Sequence, residues 1–186
     1  THALERNTAP AAACIYRALA GLWAIESHIF GVTARSSDVA YVLSHWNPGS
    51  GSPAEIDDVR AALGLAGCTA WVTRPATALR SVVALRRLPA AAPRDFDAGF
   101  AWLLAEGLPR WIADGIAVPE DLDTIPHPHV RAIGAVWGSH FFENDGELAR
   151  AIDLAEQGIG YLEAAPSAWL RLNGESHLAE LHSFLG

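Results

Sequence analysis

The stretch AGFAWLLAEGLPRWIA, residues 98–113, decides the fold of this chain. It contains two apolar runs, 100–104 and 110–113, on either side of the turn-forming sequence EGLP at 106–109. Two short apolar runs joined by a turn with glycine and proline are typical of a β-hairpin. A helix over 96–105 fits the spacing of the apolar residues nearly as well, because periodicity does not separate strand from helix in so short a run. We expect the hairpin and keep a mainly α fold as the alternative.

The residues before this stretch carry a helical pattern. Thr8 and Pro10 indicate the start of an amphipathic helix that ends before Gly31, and a second short helix is predicted over 38–46. The sequence SPAE at 52–55 is a capping box with proline at the first helical position, which predicts the start of a third helix. The first third of the chain is therefore expected to be helical.

The pattern changes after the third helix. The sequence CTAWVT at 68–73 is short and contains β-branched and aromatic residues, which indicates a strand. A helix is predicted over 76–87, and a further strand over 130–137. From Asn144, which forms a predicted capping box with Glu147, the pattern is helical again. We therefore expect an α+β fold with a helical N-terminal half, a small antiparallel sheet and a C-terminal helical extension.

The composition is that of a globular chain with a substantial core. Of the 186 residues, 51% are hydrophobic and 18% are charged. Its two cysteines are too few for a disulfide framework, so we expect reduced thiols and a cytoplasmic location. The longest apolar stretch, 18–25, is far shorter than the roughly 20 residues that a membrane-spanning helix needs, so no membrane insertion is expected.

The charge is distributed unevenly. Residues 1–118 are neutral overall, whereas residues 119–186 carry eleven acidic residues against three arginines, which accounts for the whole net charge of −8. An acidic chain without a basic stripe argues against nucleic acid as a partner, because phosphate neutralisation supplies most of that affinity. Together with the change of pattern, the charge predicts an α+β domain over 1–140 and an acidic helical extension over 141–186.

The order of these elements resembles that of papain-like cysteine peptidase domains. The closest resemblance is to the double-glycine leader peptidase domains of bacteriocin ABC exporters and to their inactive relatives in type I secretion exporters. It covers roughly residues 10–138, and the matching segments follow one another in the family's order. They are Phe30-Gly31, the LGL at 63–65, the LPA at 88–90, the apolar run at 98–104 and the run WIAD at 111–114.

The resemblance implies a degenerate catalytic site. A papain-like mechanism needs a cysteine at the start of the first helix and a histidine on the facing strand. The matching positions hold Ala18 and Gly99. The function expected is therefore a non-catalytic binding module for a peptide or protein partner, with Trp102, Trp111 and Asp114 as candidate binding residues.

Cys14 keeps an enzymatic alternative open. It lies near the predicted start of the first helix, and a second papain-like group, the acyltransferase-like proteins of butirosin biosynthesis, also has a cysteine followed closely by Arg and Leu, as Cys14, Arg17 and Leu19 do. On this alternative, Cys14 is the nucleophile of an acyltransferase or peptidase-like thiol enzyme in a bacterial biosynthetic or secretion pathway. The competing interpretation is that Cys14 is a small buried hydrophobic residue, so whether the protein is an enzyme stays open.

The chain has eight histidines and seven tryptophans. His127 and His129 would project to the same side of an extended segment and are weak candidates for metal ligands. Two histidines have a glutamate three residues later and would share a helix face with it: these pairs are His140 with Glu143, and His177 with Glu180. No CxxC or HExxH motif is present, so the sequence predicts neither a metal nor another cofactor.

Overall fold

The computed structural model is all-α across the part of the chain that it describes. Those residues are 2–25, 29–71, 73–90, 96–113, 122–164 and 167–185. No strand occurs among them, so the expected α+β class with a papain-like sheet is wrong and the mainly α alternative is correct. The chain divides into two compact units, residues 1–106 and 107–186.

The first unit is built around one central helix. Its helices are α1 (His2–Ile25), α2 (Ile29–Ser44), α3 (Pro53–Ala70), α4 (Pro75–Leu85) and α5 (Phe96–Trp102). Helix α3 packs against each of the other four, and every residue from Val59 to Cys68 is buried. A helix that is buried on all sides shows no polar stripe, which is why its last turn carries an apolar pattern that also fits a strand. The strand predicted over 68–73 is wrong, because α3 continues to Ala70.

The predicted capping box starts α3 and is confirmed. The Glu55 N–H donates to Ser52 Oγ at 3.3 Å, and the Ser52 N–H donates to Glu55 Oε2 at 2.7 Å. These bonds satisfy backbone donors that the first turn of a helix leaves unpaired. The start predicted for the first helix is wrong, however, since α1 begins at His2 and contains Pro10 in its interior.

The stretch 98–113 is helical rather than a hairpin. Helix α5 is followed by a single turn of π-helix, Leu103–Gly107, and then by α6 (Leu108–Ala113). Phe100, Leu103 and Leu104 are all buried. Pro109 lies just after this π-helical turn, and the backbone is helical without a break from 96 to 113. The sequence EGLP therefore marks a junction between helices, and the residues of the predicted hairpin form helix on both sides of it.

The second unit contains a helix hairpin and a third helix packed on it. These are α7 (Pro128–Asn144), α8 (Leu148–Tyr161) and α9 (Ala168–Leu185), and α9 contacts both α8 and α7. The strand predicted over 130–137 is part of α7. Residue 140 also lies inside α7, and the expected domains over 1–140 and 141–186 stay a prediction.

The turn between α7 and α8 differs from the predicted capping box. Asn144 ends α7, and its side-chain amide donates to the His140 carbonyl at 2.7 Å. Gly146 follows with a φ of 79°, a left-handed conformation that glycine adopts without strain. Glu147 precedes α8 without a side-chain capping bond. Among the described residues, no helix combines the length and apolar character needed to cross a membrane.

Candidate metal centre

Three potential metal ligands converge in the second unit. His140 and Glu143 lie on α7, and His177 lies on α9. One ligand atom from each of the three lies within 4.8 Å of the others. Within the described residues, this is the one group of three or more His, Cys, Asp or Glu side chains with such a spacing.

Local and tertiary packing both build this cluster. His140 and Glu143 are three residues apart on a helix and therefore share one face. His177 reaches them because α9 packs across α7 and α8. Gly174, one turn before His177, allows that close approach, since a Cβ at this position would lie 3.0 Å from Ile159 Cγ1 of α8.

His177 is the buried member of the cluster, with an exposed fraction of 4%. Its Nε2 lies 2.8 Å from Ser139 Oγ, whereas its Nδ1 is buried and makes no hydrogen bond. A buried nitrogen without a partner costs about 1–3 kcal/mol. A buried nitrogen without a partner, on a residue that clusters with two other ligand groups, favours an ion as its partner.

Electrostatics keep the His177 ring neutral. Burial lowers the pKa of His177 to about 4, and the neighbouring His140 acts in the same direction, whereas Glu143 opposes both. The imidazole therefore carries a free lone pair at neutral pH, which is the form that binds a metal ion.

His140 and Glu143 connect the buried ring to solvent. His140 Nδ1 lies 3.0 Å from Glu143 Oε2, and their side chains are 47% and 21% exposed. An ion can therefore reach the cluster from solvent. Two imidazoles and one carboxylate form a ligand set found in zinc enzymes and in non-haem iron sites.

Ser139 and His177 also have the distance of a nucleophile and its general base. Ser139 is completely buried, however, and its hydroxyl donates to the Ala151 carbonyl at 2.7 Å. A nucleophile must contact its substrate. The described geometry therefore does not support serine hydrolase chemistry at this position.

The residues predicted from the resemblance lie elsewhere. Cys14 is exposed in the middle of α1, far from the first helical turn where the papain-like alternative requires its nucleophile. Trp102 is half-buried at the end of α5. Trp111 belongs to α6, but its side chain and the whole of Asp114 lie outside the described residues. The binding and catalytic roles of these residues stay predictions.

The two histidines that the sequence offered as weak metal-ligand candidates, His127 and His129, do not belong to this cluster. His127 and His129 lie at the start of α7 with ring centroids 5.1 Å apart, and neither belongs to the group of three. The sequence signal for the cluster was the His140 and Glu143 pair. His177 could not be joined to that pair from sequence, because only the packing of α9 on α7 brings it there.

Comparisons of the chain with protein-family models, with curated proteins and with solved structures give no match.

Proposed function

We propose that the second unit binds a divalent transition-metal ion through His177 Nδ1, a carboxylate oxygen of Glu143 and a ring nitrogen of His140. The observation that carries this proposal is the buried His177 Nδ1 without a hydrogen bond, on the residue that forms the cluster with His140 and Glu143. The expectation of a chain without a metal is replaced by this proposal.

The ligand chemistry favours zinc. Magnesium and calcium prefer shells made of oxygen, and copper(I) prefers sulfur ligands, whereas zinc accepts two imidazole nitrogens and a carboxylate oxygen. In a tetrahedral site with bonds of about 2.1 Å, ligand atoms lie about 3.4 Å apart. The ligand atoms of the cluster now lie within 4.8 Å of one another. Rotation of the His140 and Glu143 side chains, which are the more exposed ones, would shorten these distances to about 3.4 Å.

A zinc ion held in this way would have two consequences. It would join α7 to α9, since its protein ligands come from both helices. It would also keep a coordination position for water or another small ligand, as zinc sites with three protein ligands do. The function proposed for the cluster is metal binding alone.

Zinc titration of the metal-free protein by isothermal calorimetry tests the proposal. One ion per chain should bind, and Glu143→Gln and His140→Ala should each weaken binding at least tenfold. Both residues are partly exposed, so these variants should keep the fold. Glu180→Gln and His182→Ala change exposed residues of α9 and are the matched controls. The absence of stoichiometric binding, or equal losses in the controls, would refute the metal site.

A binding module for a protein partner stays a second proposal, now independent of a papain-like fold. Between residues 11 and 22, α1 has a stripe of exposed, uncharged residues that are alternately four and three positions apart: Ala11, Ile15, Ala18 and Leu22. This spacing is that of a coiled-coil seam. Small and large side chains alternate along it, so two antiparallel copies of α1 can interdigitate. The partner that this face fits is therefore a second copy of the chain.

Sedimentation velocity over a range of concentrations tests this association. The wild type should show a dimer that Ile15→Asp with Leu22→Asp dissociates, and Leu79→Asp, an exposed position on α4, is the control. A monomer at every concentration would refute it. The Cys14-dependent thiol enzyme, the bacterial pathway and the cytoplasmic location stay predictions.

A further inference from the structure

We infer that Ser139 is a positioning residue of the metal site, because it fixes which nitrogen of His177 carries the proton. The inference rests on the metal-binding function proposed above. It assigns a role to a buried serine that does not itself contact the ion.

The hydrogen bonds around Ser139 determine this proton arrangement. A serine hydroxyl has one hydrogen, and Ser139 Oγ lies 2.7 Å from the Ala151 carbonyl oxygen and 2.8 Å from His177 Nε2. A carbonyl oxygen only accepts, so the hydroxyl must donate to Ala151. His177 Nε2 must then carry the hydrogen and donate to Ser139 Oγ. The reverse arrangement would place two acceptors, Ser139 Oγ and the Ala151 oxygen, 2.7 Å apart with no proton between them.

The tautomer decides which nitrogen can bind a metal. A neutral imidazole has one N–H, so a proton on Nε2 leaves the lone pair on Nδ1. His177 Nδ1 is the buried nitrogen without a hydrogen bond, on the residue that joins His140 and Glu143 in the cluster. Metal-bound histidines commonly donate their second N–H to an oxygen that fixes ring and tautomer. Ser139 has that position here.

The same contacts connect the site to the three helices α7, α8 and α9 of the second unit. Ser139 lies on α7, Ala151 on α8 and His177 on α9. Helix α8 contributes no ligand to the cluster. Its Ala151 carbonyl nevertheless orients the Ser139 hydroxyl, and this hydroxyl in turn orients the His177 ring. The affinity for the ion therefore depends on the packing of α8 as well as on the two helices that carry the ligands.

Two measurements test the role of Ser139. Nitrogen-15 NMR of the metal-free wild type should show His177 protonated on Nε2, and zinc should shift the Nδ1 resonance. In Ser139→Ala the zinc affinity should fall about 10- to 100-fold, the usual effect of losing an outer-shell partner. Ser36→Ala is the matched control, because Ser36 is also completely buried and donates to a backbone carbonyl, that of Thr33, in the first unit.

The outcomes separate the two proposals. Zinc binding by the wild type with an unchanged affinity in Ser139→Ala would overturn the role of Ser139 and leave the metal site intact. A wild type with the proton on Nδ1 would also overturn it, and this measurement needs no variant that must fold. A wild type with Nε2 protonated but without zinc binding would refute the metal site itself, and with it the positioning role.

Discussion

The imidazole rings of His140 and His177 lie in contact, with their centroids 3.6 Å apart and their planes tilted by 42°. The first ring belongs to α7 and is exposed on one side, whereas the second belongs to α9 and is buried. Two imidazoles this close do not readily both carry a positive charge, and His140 contributes to the low pKa of His177.

Zinc should raise the thermal stability of the protein. An ion that binds only the folded state stabilises it by about 2.7 kcal/mol at a concentration of 100 Kd. We expect differential scanning fluorimetry to show a higher Tm for the metal-free protein after zinc is added, and a chelator to reverse the increase. His140→Ala should abolish the shift and Glu180→Gln should preserve it. A Tm that does not respond to zinc would contradict the metal site.

Gly64→Ala should destabilise the first unit. A Cβ at Gly64 would lie 2.5 Å from the backbone nitrogen of Ala101, so α3 and α5 would have to move apart. Overpacking of this kind costs about 1–3 kcal/mol, measurable as a lower free energy of unfolding in urea. Gly160→Ala is the control, since a Cβ there meets nothing within 4 Å and alanine favours the helix by about 1 kcal/mol. Equal effects of the two changes would show that α3 and α5 do not pack this closely.

The two cysteines should differ in reactivity. Cys14 is exposed, whereas Cys68 is buried and its Sγ donates to the Phe100 carbonyl at 3.5 Å. Burial also raises the pKa of the Cys68 thiol well above its usual value, which lowers the thiolate fraction further. Iodoacetamide should therefore alkylate Cys14 alone in the native protein and both cysteines in denaturant, as read by mass spectrometry. Native labelling of Cys68 at a similar rate would contradict the burial of α3.

Alkaline pH should destabilise the protein in part through Tyr161. Its hydroxyl donates to Asp123 Oδ1 at 2.8 Å, and burial, with a further contribution from Asp123, raises its pKa to about 12. The unfolded chain loses this proton near pH 10, so stability is complete below about pH 10 and declines as the pH rises towards 12. Tyr161→Phe should reduce this decline in urea unfolding, whereas Tyr41→Phe, at an exposed position, should not. An identical decline in Tyr161→Phe would exclude this contribution.

Parts of the fold could be predicted because they depend on residues close together in the chain. The capping box of Ser52 and Glu55 starts α3 as expected, and helix α4 (Pro75–Leu85) overlaps the predicted range 76–87 from residue 76 to residue 85. The capping box predicted at Asn144 is wrong, because the same local sequence fits two roles. An asparagine with a glycine two residues later can end one helix as well as begin the next, and here Asn144 ends α7.

The sequence by itself determined some local elements, namely the capping box that starts α3, most of helix α4 and the pairing of His140 with Glu143 on one helix face. Only the tertiary structure decided the class of the fold and the composition of the site. The spacing of the apolar residues at 98–104 fits a strand as well as a helix. The run is helical in the structure, where Phe100, Leu103 and Leu104 are buried in an all-helical unit. His177 joins the His140 pair only through the packing of α9 on α7. Both depend on contacts between residues far apart in sequence, and periodicity within a single segment does not contain that information.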